Sequence, residues 1–433
     1  MPNSASSTRP LRILILSWEL LPVYAGGLGI LVRDVVDELK AQGNSVKVLM
    51  PRIPPRTQVE DAFVLPRLYN RFYREDKPIK ELDYGLELVD RRGRTPGATW
   101  PPLFQSAKKS KKGSSFTLYP NNLPRIVRAY ARTCAEHVSQ HRNDYDLIIG
   151  MDWMATPAYH LIKQLDLDIP FFFHVNSTEW DRAPNPRRVT AGHTINKRLE
   201  SELFLQADAV LAISQVTKQA LIEHCRVPEE KITVISNDLS FDPEQTGYTE
   251  LDKGKNVLYI GRITAQKGLP FLLDTAEKVI GIDSQIRFLI AGDGEDMSDT
   301  VETIAERCLE KNCIVIGWVN GEQKKQLYKS ADLFVMTSPS EPFGLTPLEA
   351  IISDVPVISS KNCGFLDVIP STPTYAYHDT ARFAEILLHY INDPADRAAL
   401  LQKQKEEYGR HSWSEQIKKI TDLAREHLAR LRA

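Results

Sequence analysis

The feature that constrains this chain most is an alternation, met twice, of short uninterrupted apolar runs with amphipathic segments of helical period. The first series opens with LRILILS at 11–17, a loop through Ala25-Gly26-Gly27-Leu28-Gly29, and ILVRDVVDELKAQG before SVKVLMP. In that helical segment Leu31, Val32, Val35, Val36 and Leu39 share one face, and Gly43 is a natural stop. The alternation continues through YDLIIGMD, PAYHLIKQL, IPFFFHV, ESELFLQA, DAVLAIS, TKQALIEHC and KITVIS. Strands that are apolar from end to end and separated by helices require a parallel sheet covered on both faces. Residues 236–255 break the pattern, being polar, rich in turn formers and without period. A second series then runs NVLYIGR, PFLLDTAEKVI, QIRFLIAGDG, TVETIAERCLEKN, CIVIGWV, GEQKKQLYKSA, DLFVMTS, TPLEAIISD and PVISS.

The expected fold class is therefore α/β, with two doubly wound Rossmann-like domains. Their expected bounds are 11–236 and 256–410, with a disordered tail at 1–10, a linker at 237–255 and a C-terminal helix at 411–433. In that helix Ile417, Ile420, Leu423, Leu428 and Leu431 roughly follow one face, which predicts packing on a domain.

Composition excludes several classes. With 54 Lys+Arg against 56 Asp+Glu, the net charge of −2 lacks the basic excess of a nucleic-acid binder, so no nucleic-acid partner is expected. The five cysteines are never spaced Cys-x-x-Cys, which signals neither a disulfide framework nor a thiolate metal site. Buried thiols in a reducing compartment, together with no apolar run near the roughly 18 residues that span a bilayer, predict a cytoplasmic protein. Residues 52–122 resist the alternation: they are rich in Pro, Arg and Lys and hold the run Lys108, Lys109, Lys111, Lys112. Two readings stand there, a solvated surface insertion or a patch for an acceptor or an anionic membrane.

Two doubly wound domains are expected to face each other across a cleft at the carboxyl ends of both sheets, so motifs just after strands matter most. Gly26-Gly27-Leu28-Gly29 suits either a phosphate cradle at a helix N-terminus or a plain tight turn. After NVLYI, the stretch Gly261 to Gly268 places Arg262 and Lys267 as a diphosphate clamp or as solvated cations. In Glu341-Pro342-Phe343-Gly344-Leu345-Thr346-Pro347-Leu348-Glu349, the prolines and Gly344 forbid one continuous helix, leaving Glu341 in a loop and Glu349 in a helix. Thr346 is the expected N-cap and Pro347 the first helical residue, with Thr346-x-x-Glu349 a capping box. The alternative sets the Gly344, Leu345 and Thr346 amides against a phosphate and both carboxylates on sugar hydroxyls. Asp166-Leu167-Asp168 precedes a strand rather than following one and reads as chance, and Asp293 and Asp296 lack partner ligands.

The frame E-P-F-G-L-x-x-L-E resembles the paired-glutamate motif of retaining GT-B glycosyltransferases. Ser17-Trp18-Glu19 through Gly26-Gly27-Leu28-Gly29, Met151-Asp152-Trp153, His174-Val175-Asn176-Ser177-Thr178-Glu179, Gly261-Arg262 with Lys267-Gly268, and Ala291-Gly292-Asp293-Gly294 follow in the same order. Together they resemble the glycogen/starch synthase-like group, including glycosyltransferase family four. The resemblance implies transfer of a hexose, with glucose foremost, from an ADP-, UDP- or GDP-sugar to a glycan or other hydroxyl acceptor, with retained configuration and no metal or other cofactor. It implies that Glu341 contacts the donor sugar near the reacting carbon and Glu349 the ribose hydroxyls. Arg262 and Lys267 would neutralise the diphosphate, and His174 would support the sugar or the cationic transition state. Gly26, Gly27, Gly292, Phe343, Gly344, Leu345 and Thr346 would shape the donor site, and Asp152 and Glu179 the acceptor side. A strand-end His is otherwise commonly structural. The alternatives are a lipid-linked or small-molecule acceptor, a nucleotide-sugar epimerase, or a non-catalytic sugar-nucleotide-binding protein. The chain departs from the group at three places: Tyr24-Ala25-Gly26-Gly27-Leu28 lacks the usual Lys, Asn237-Asp238 replaces Asn-Gly, and Cys363-Gly364 replaces a glycine pair.

Overall fold

The apolar runs become the strands of two all-parallel sheets. A computed structural model describes residues 9–23, 27–53, 57–65, 123–182, 191–239, 254–319 and 321–432. The chain divides into unit 1, Met1–Ala212 with Ala220–Ile235 and Ser414–Ala433, and unit 2, Ile213–Gln219 with Ser236–Trp413.

In unit 1 the strands are β1 Arg12–Leu16, β2 Ser45–Leu49, β3 Ala62–Phe63, β4 Leu147–Met151, β5 Phe171–Val175, β6 Ala209–Ala212 and β7 Ile232–Val234. They lie in the order β3-β2-β1-β4-β5-β6-β7, with Ile13 opposite both Val46 and Leu147. The direction of sheet growth reverses between β1 and β4, and such a switch point is where doubly wound sheets bind ligands. Every residue of β4, β5 and β6 is buried, as strands covered on both faces must be. Phe171 and Phe173 pack edge-on against Tyr159, with ring centroids 4.8 and 5.2 Å apart, and Phe173 meets Phe204 at 5.1 Å. Truncating such a ring, Phe173→Ala for instance, costs about 3–5 kcal/mol.

The helix Gly27–Ala41 buries Leu31, Val32, Val35, Val36 and Leu39. It ends where Gly43 N donates to Lys40 O (2.8 Å) and Asn44 N to Leu39 O (3.1 Å), which satisfies the last carbonyls. It begins at Gly27, inside the glycine-rich stretch rather than after it. The segment beginning at 52 is not wholly an insertion. Residues 62–63 form β3, the sheet edge, because Val48 N donates to Asp61 O (2.8 Å) and Met50 N to Phe63 O (3.1 Å). The Leu123–Gln140 helix buries Ile126, Val127, Tyr130, Ala131, Cys134 and Val138. The tail 1–8, residues 66–122 with Lys108, Lys109, Lys111 and Lys112, and most of the expected linker lie outside the described residues.

Unit 2 repeats the plan. Its strands are β8 Lys255–Ile260, β9 Ile286–Ala291, β10 Cys313–Gly317, β11 Leu333–Met336, β12 Val357–Ser360 and β13 Thr374–Tyr375. Their order is β10-β9-β8-β11-β12-β13, with the switch between β8 and β11. Sequence order assigns residues 213–219 to the first domain, but Ser214 Oγ donates to Pro342 O (2.5 Å) and Gln215 N to Asp367 Oδ2 (2.6 Å), so they belong with unit 2. The final helix, Trp413–Arg432, returns to unit 1, with Ile417, Ile420, Ala424 and Leu428 buried. Ala424 rather than the half-buried Leu423 takes the place on the buried face, and Leu431, in the last turn, is exposed. No helix among the described residues is long and apolar enough to cross a membrane.

Candidate active site

In unit 2 the loops after β8 and β11 meet at the switch point. After β8 the chain passes Arg262, makes one 3-10 turn at Ala265–Lys267, and enters the helix Leu269–Ile282 through Gly268. Thr337 Oγ1, just past β11, donates to Lys267 O (2.9 Å) and fixes the two loops together. Lys267 Nζ pairs with Glu341 Oε2, which also accepts from Ser338 Oγ (3.2 Å). Glu341 is held at both ends of its peptide: its N donates to Asn362 O (2.8 Å) and its O accepts from Gly364 N (2.9 Å). Its carboxylate is thus buried, aimed and charge-matched. Arg262 is exposed, bonded through Nη2 to Gln266 Oε1 (3.0 Å), and pairs with no carboxylate among the described residues. An unpaired guanidinium beside a lysine at a strand's carboxyl end can bind a diphosphate.

Gly292 follows β9 with φ +146, and a Cβ there would strike the Gly261 carbonyl. The backbone after β9 therefore lies against the backbone after β8. Phe343 is core, its carbonyl accepting from Phe365 N (2.7 Å), so it supports the loop from beneath. The next helix runs Leu345–Ile352 with Gly344, at φ +90, as its N-cap. Thr346 and Pro347 thus each sit two positions deeper than expected, as the second and third helical residues, because a glycine can hold the left-handed turn that Thr avoids. The capping box does not form. Glu349 Oε2 accepts from Tyr328 OH (2.7 Å) and pairs with Lys324 Nζ instead. Leu345 and Thr346 remain half-buried in the first helical turn, where free amides favour anions.

At the departures from the resembled group, Asp238 Oδ1 accepts from Tyr408 OH (2.6 Å), a bond that glycine would lose. Cys363 is buried against Ser360 Oγ (3.3 Å), and burial pushes its thiol up to about 12.

In unit 1, Asp152 N donates to His174 O (3.1 Å), placing these two residues at neighbouring strand ends. Asp152 has φ 64 and ψ 176, a conformation that costs a non-glycine residue about 1–3 kcal/mol and collects at functional sites. Its Oδ1 accepts from Trp153 N (2.7 Å). Burial raises its pKa above the ordinary carboxylate value, with Arg182 opposing. His174 is fully buried, and burial lowers its imidazole to about 4. The Asn176 amide favours the charged form but sits outside hydrogen-bond geometry, so neither side chain has a partner among the described residues. At neutral pH His174 is uncharged and can exchange hydrogen bonds with hydroxyls; it cannot supply a cation.

Glu179 is buried in a cluster that sequence spacing does not reveal. Its carboxylate meets Arg182 Nε (2.9 Å), Asn196 Nδ2 (3.4 Å) and His193 Nδ1, while its backbone N donates to Glu200 Oε2 (2.6 Å). Arg182 also pairs with Glu200 and lies 3.5 Å from Asp152 Oδ1. Burial pushes Glu200 up to about 8 against the pull of Arg182. Both oxygens of Glu179 are therefore committed to internal partners, whereas the partners of Asp152 among the described residues fall on Oδ1 alone. Gly27 is exposed at its helix start, Gly26 lies outside the described residues, and Gly29 N donates to Glu19 Oε2 (3.2 Å), so an internal carboxylate already holds one amide of that turn. Among the described residues no three His, Cys, Asp or Glu side chains are grouped to hold a metal. Sequence spacing did not single out Lys324, Tyr328, Ser338, Arg182 or Glu200. Only Lys324 and Tyr328 carry a signal, as an i, i+4 pair on one helix face.

Residues 25–238 match the family described as Glycosyltransferase Family 4, and residues 242–407 match that described as Glycosyl transferases group 1. An uncharacterized glycosyltransferase of Methanocaldococcus jannaschii is 29% identical over 241 residues, 52% of this chain and 60% of that protein. The chain thus spans well under two thirds of that relative's length in the match. A glycogen synthase of Mycobacterium tuberculosis is 24% identical over 402 residues, 89% of this chain and 87% of the relative. Among solved structures, a sucrose-phosphate synthase from Thermosynechococcus elongatus superposes with a TM-score of 0.66 at 18% identity, covering 96% of this chain and 99% of the other.

Proposed function

We propose, for a chain that belongs to the GT-B glycosyltransferases, that it transfers a glucosyl or closely similar hexosyl group from a nucleoside diphosphate sugar to a glycan acceptor, with retention and without a metal. The observation that carries this reading is the Lys267–Glu341 pair at the switch point of unit 2, beside Arg262, which pairs with no carboxylate among the described residues. Breaking the bond between the anomeric carbon and the phosphate oxygen leaves growing negative charge on the diphosphate. Arg262, Lys267 and the first amides of the Leu345–Ile352 helix are the groups here that stabilise such charge, and preorganised donors of this kind supply the largest share of many rate enhancements. Lys267 exchanges Glu341 for phosphate when donor arrives, which frees the carboxylate for the hexose next to its reacting carbon. Glu349 takes the ribose hydroxyls. On unit 1, neutral His174 serves a sugar hydroxyl and Asp152 the acceptor, whose hydroxyl oxygen forms the new bond to the anomeric carbon and gives up its proton to the departing diphosphate oxygen. Glu179 acts indirectly, by holding Arg182 beside Asp152.

The test is nucleoside diphosphate release from ADP-, UDP- and GDP-hexoses, with and without an α-glucan, for the wild type and for Lys267→Ala and Glu341→Ala. Acceptor-stimulated release from one glucose donor, lost in both variants, is the expected result. Formation of a new sugar nucleotide instead of free nucleoside diphosphate would identify an epimerase and overturn the reading.

A further inference from the structure

Glu349 is a carboxylate whose two oxygens are treated differently. Oε2 accepts from Tyr328 OH (2.7 Å) and pairs with Lys324 Nζ. Oε1 accepts nothing among the described residues. Lys324 and Tyr328 stand one turn apart on the helix Gly321–Ser330, and Tyr328 OH also reaches Thr346 O (3.2 Å) in the first turn of the helix that carries Glu349. Tyr328 is fully buried, Glu349 is 8% exposed, and the Lys324 side chain is 22% exposed, so the three form a pocketed network rather than a surface ion pair. A buried carboxylate without a cation takes up a proton or turns toward water. With both neighbours on one oxygen, the carboxylate cannot rotate freely, and its other oxygen is a strong acceptor for hydroxyls.

We infer that Lys324 and Tyr328 are positioning residues that hold Glu349 by Oε2 so that Oε1 takes a hydroxyl of the nucleotide ribose, and that they thereby set a preference for ribonucleotide over deoxyribonucleotide donors. The inference rests on the proposed placement of the donor ribose at Glu349. Lys324 supplies the countercharge and Tyr328 fixes the direction of the acceptor. Neither needs to touch the nucleotide. A plain helix-to-helix strut made of the same atoms would stabilise the fold but would not distinguish one ribose from another.

The experiment compares the affinities of UDP and ADP with those of their 2′-deoxy and 3′-deoxy counterparts, on the whole chain, for the wild type, Lys324→Met, Lys324→Arg, Tyr328→Phe and Glu349→Gln. Thermal melting of each variant runs alongside. A hydrogen bond to an ionised group corresponds to about 10-fold or more in affinity. The wild type should favour at least one ribonucleotide over a deoxy form by that factor. Lys324→Met and Glu349→Gln should reduce the ratio to about 2-fold or less, Tyr328→Phe should lower it part-way, and Lys324→Arg should restore it. Should Lys324→Met melt too low to assay, Tyr328→Phe and Lys324→Arg decide the matter, since an unchanged ratio in the first or a failed recovery in the second overturns the inference. A ratio lost in Glu349→Gln but kept in folded Lys324→Met overturns the inference and leaves the ribose at Glu349. No preference in the wild type removes the ribose from Glu349, and the inference with it.

Discussion

The two units share a strand order and a switch point, yet the chemistry at their strand ends is opposite. In unit 2 two carboxylates come paired with lysines, Glu341 with Lys267 and Glu349 with Lys324, and Arg262 pairs with no acid among the described residues. In unit 1 three carboxylates, Asp152, Glu179 and Glu200, crowd one arginine, and the nearby His174 is neutral. Cations suit a diphosphate; neutral and acidic groups suit sugar hydroxyls. One topology therefore carries two opposite charge arrangements, and the difference lies in the side chains set on it.

The contrast predicts that comparable substitutions damage different properties in the two units. Arg182→Met leaves Glu179 and Glu200 buried without their cation and should destabilise by about 3–5 kcal/mol, read as a fall in denaturant midpoint. Affinity for nucleotide alone should survive wherever the variant is still folded. If nucleotide affinity collapsed with the midpoint unchanged, the division of labour would be wrong.

Lys267→Ala is the converse. It should lower acceptor-stimulated nucleoside diphosphate release about 10²–10³-fold, with a smaller fall in melting temperature than Arg182→Met, since one carboxylate, Glu341, loses a lysine where two lose an arginine. Normal turnover would remove Lys267 from the chemistry.

His174 sharpens the comparison through pH. Its folded pKa of about 4 lies below the ordinary 6.5, so the unfolded chain binds the extra proton in that window and stability falls as pH drops from 6.5 toward 4. The slope is up to about 1.4 kcal/mol per pH unit, and above 6.5 there is no contribution. Glu200 acts in the other direction: raised to about 8 from 4.5, it favours the fold below 4.5 and this advantage is lost as pH climbs to 8. Unfolding curves of His174→Gln against wild type from pH 4 to 7 should show the acid-side slope reduced in the variant. Parallel curves would mean that His174 keeps a partner or is already charged.

The smallest effect belongs to a position remote from both strand-end sites. Asp393 caps the helix Pro394–Tyr408, accepting from Ala395 N and Asp396 N at 3.0 Å each. Asp393→Ala should cost about 1 kcal/mol and leave nucleotide affinity unchanged, a baseline for variants that act through stability alone.

What could be read from the letters was whatever is local. Continuous apolar runs such as LIIGM and FFFHV mark doubly covered strands without further help, and the prolines around Glu341 and Glu349 separate loop carboxylate from helix carboxylate. β3 is two residues long, too short for any period to show. The helix start at Gly344 is displaced from Thr346 because a positive-φ glycine caps without a side chain. The Lys324–Glu349 pair joins two helices 25 positions apart in the chain, and the Arg182–Glu200 pair joins residues 18 apart. Such partners are chosen by packing, and no local pattern carries them.

The last helix has a consequence for how the molecule is made. Unit 1 is begun first but finished last: Ile417, Ile420, Ala424 and Leu428 reach it only after the ribosome has laid down all of unit 2. Until then Phe172, which meets His427 edge-on at 5.3 Å, and Asp208 O, which bonds His427 Nε2 at 3.2 Å, lack their cover. The nascent chain therefore carries a bare apolar seam through most of its synthesis, and a product cut short before residue 413 would keep it, as a surface for chaperones or for aggregation.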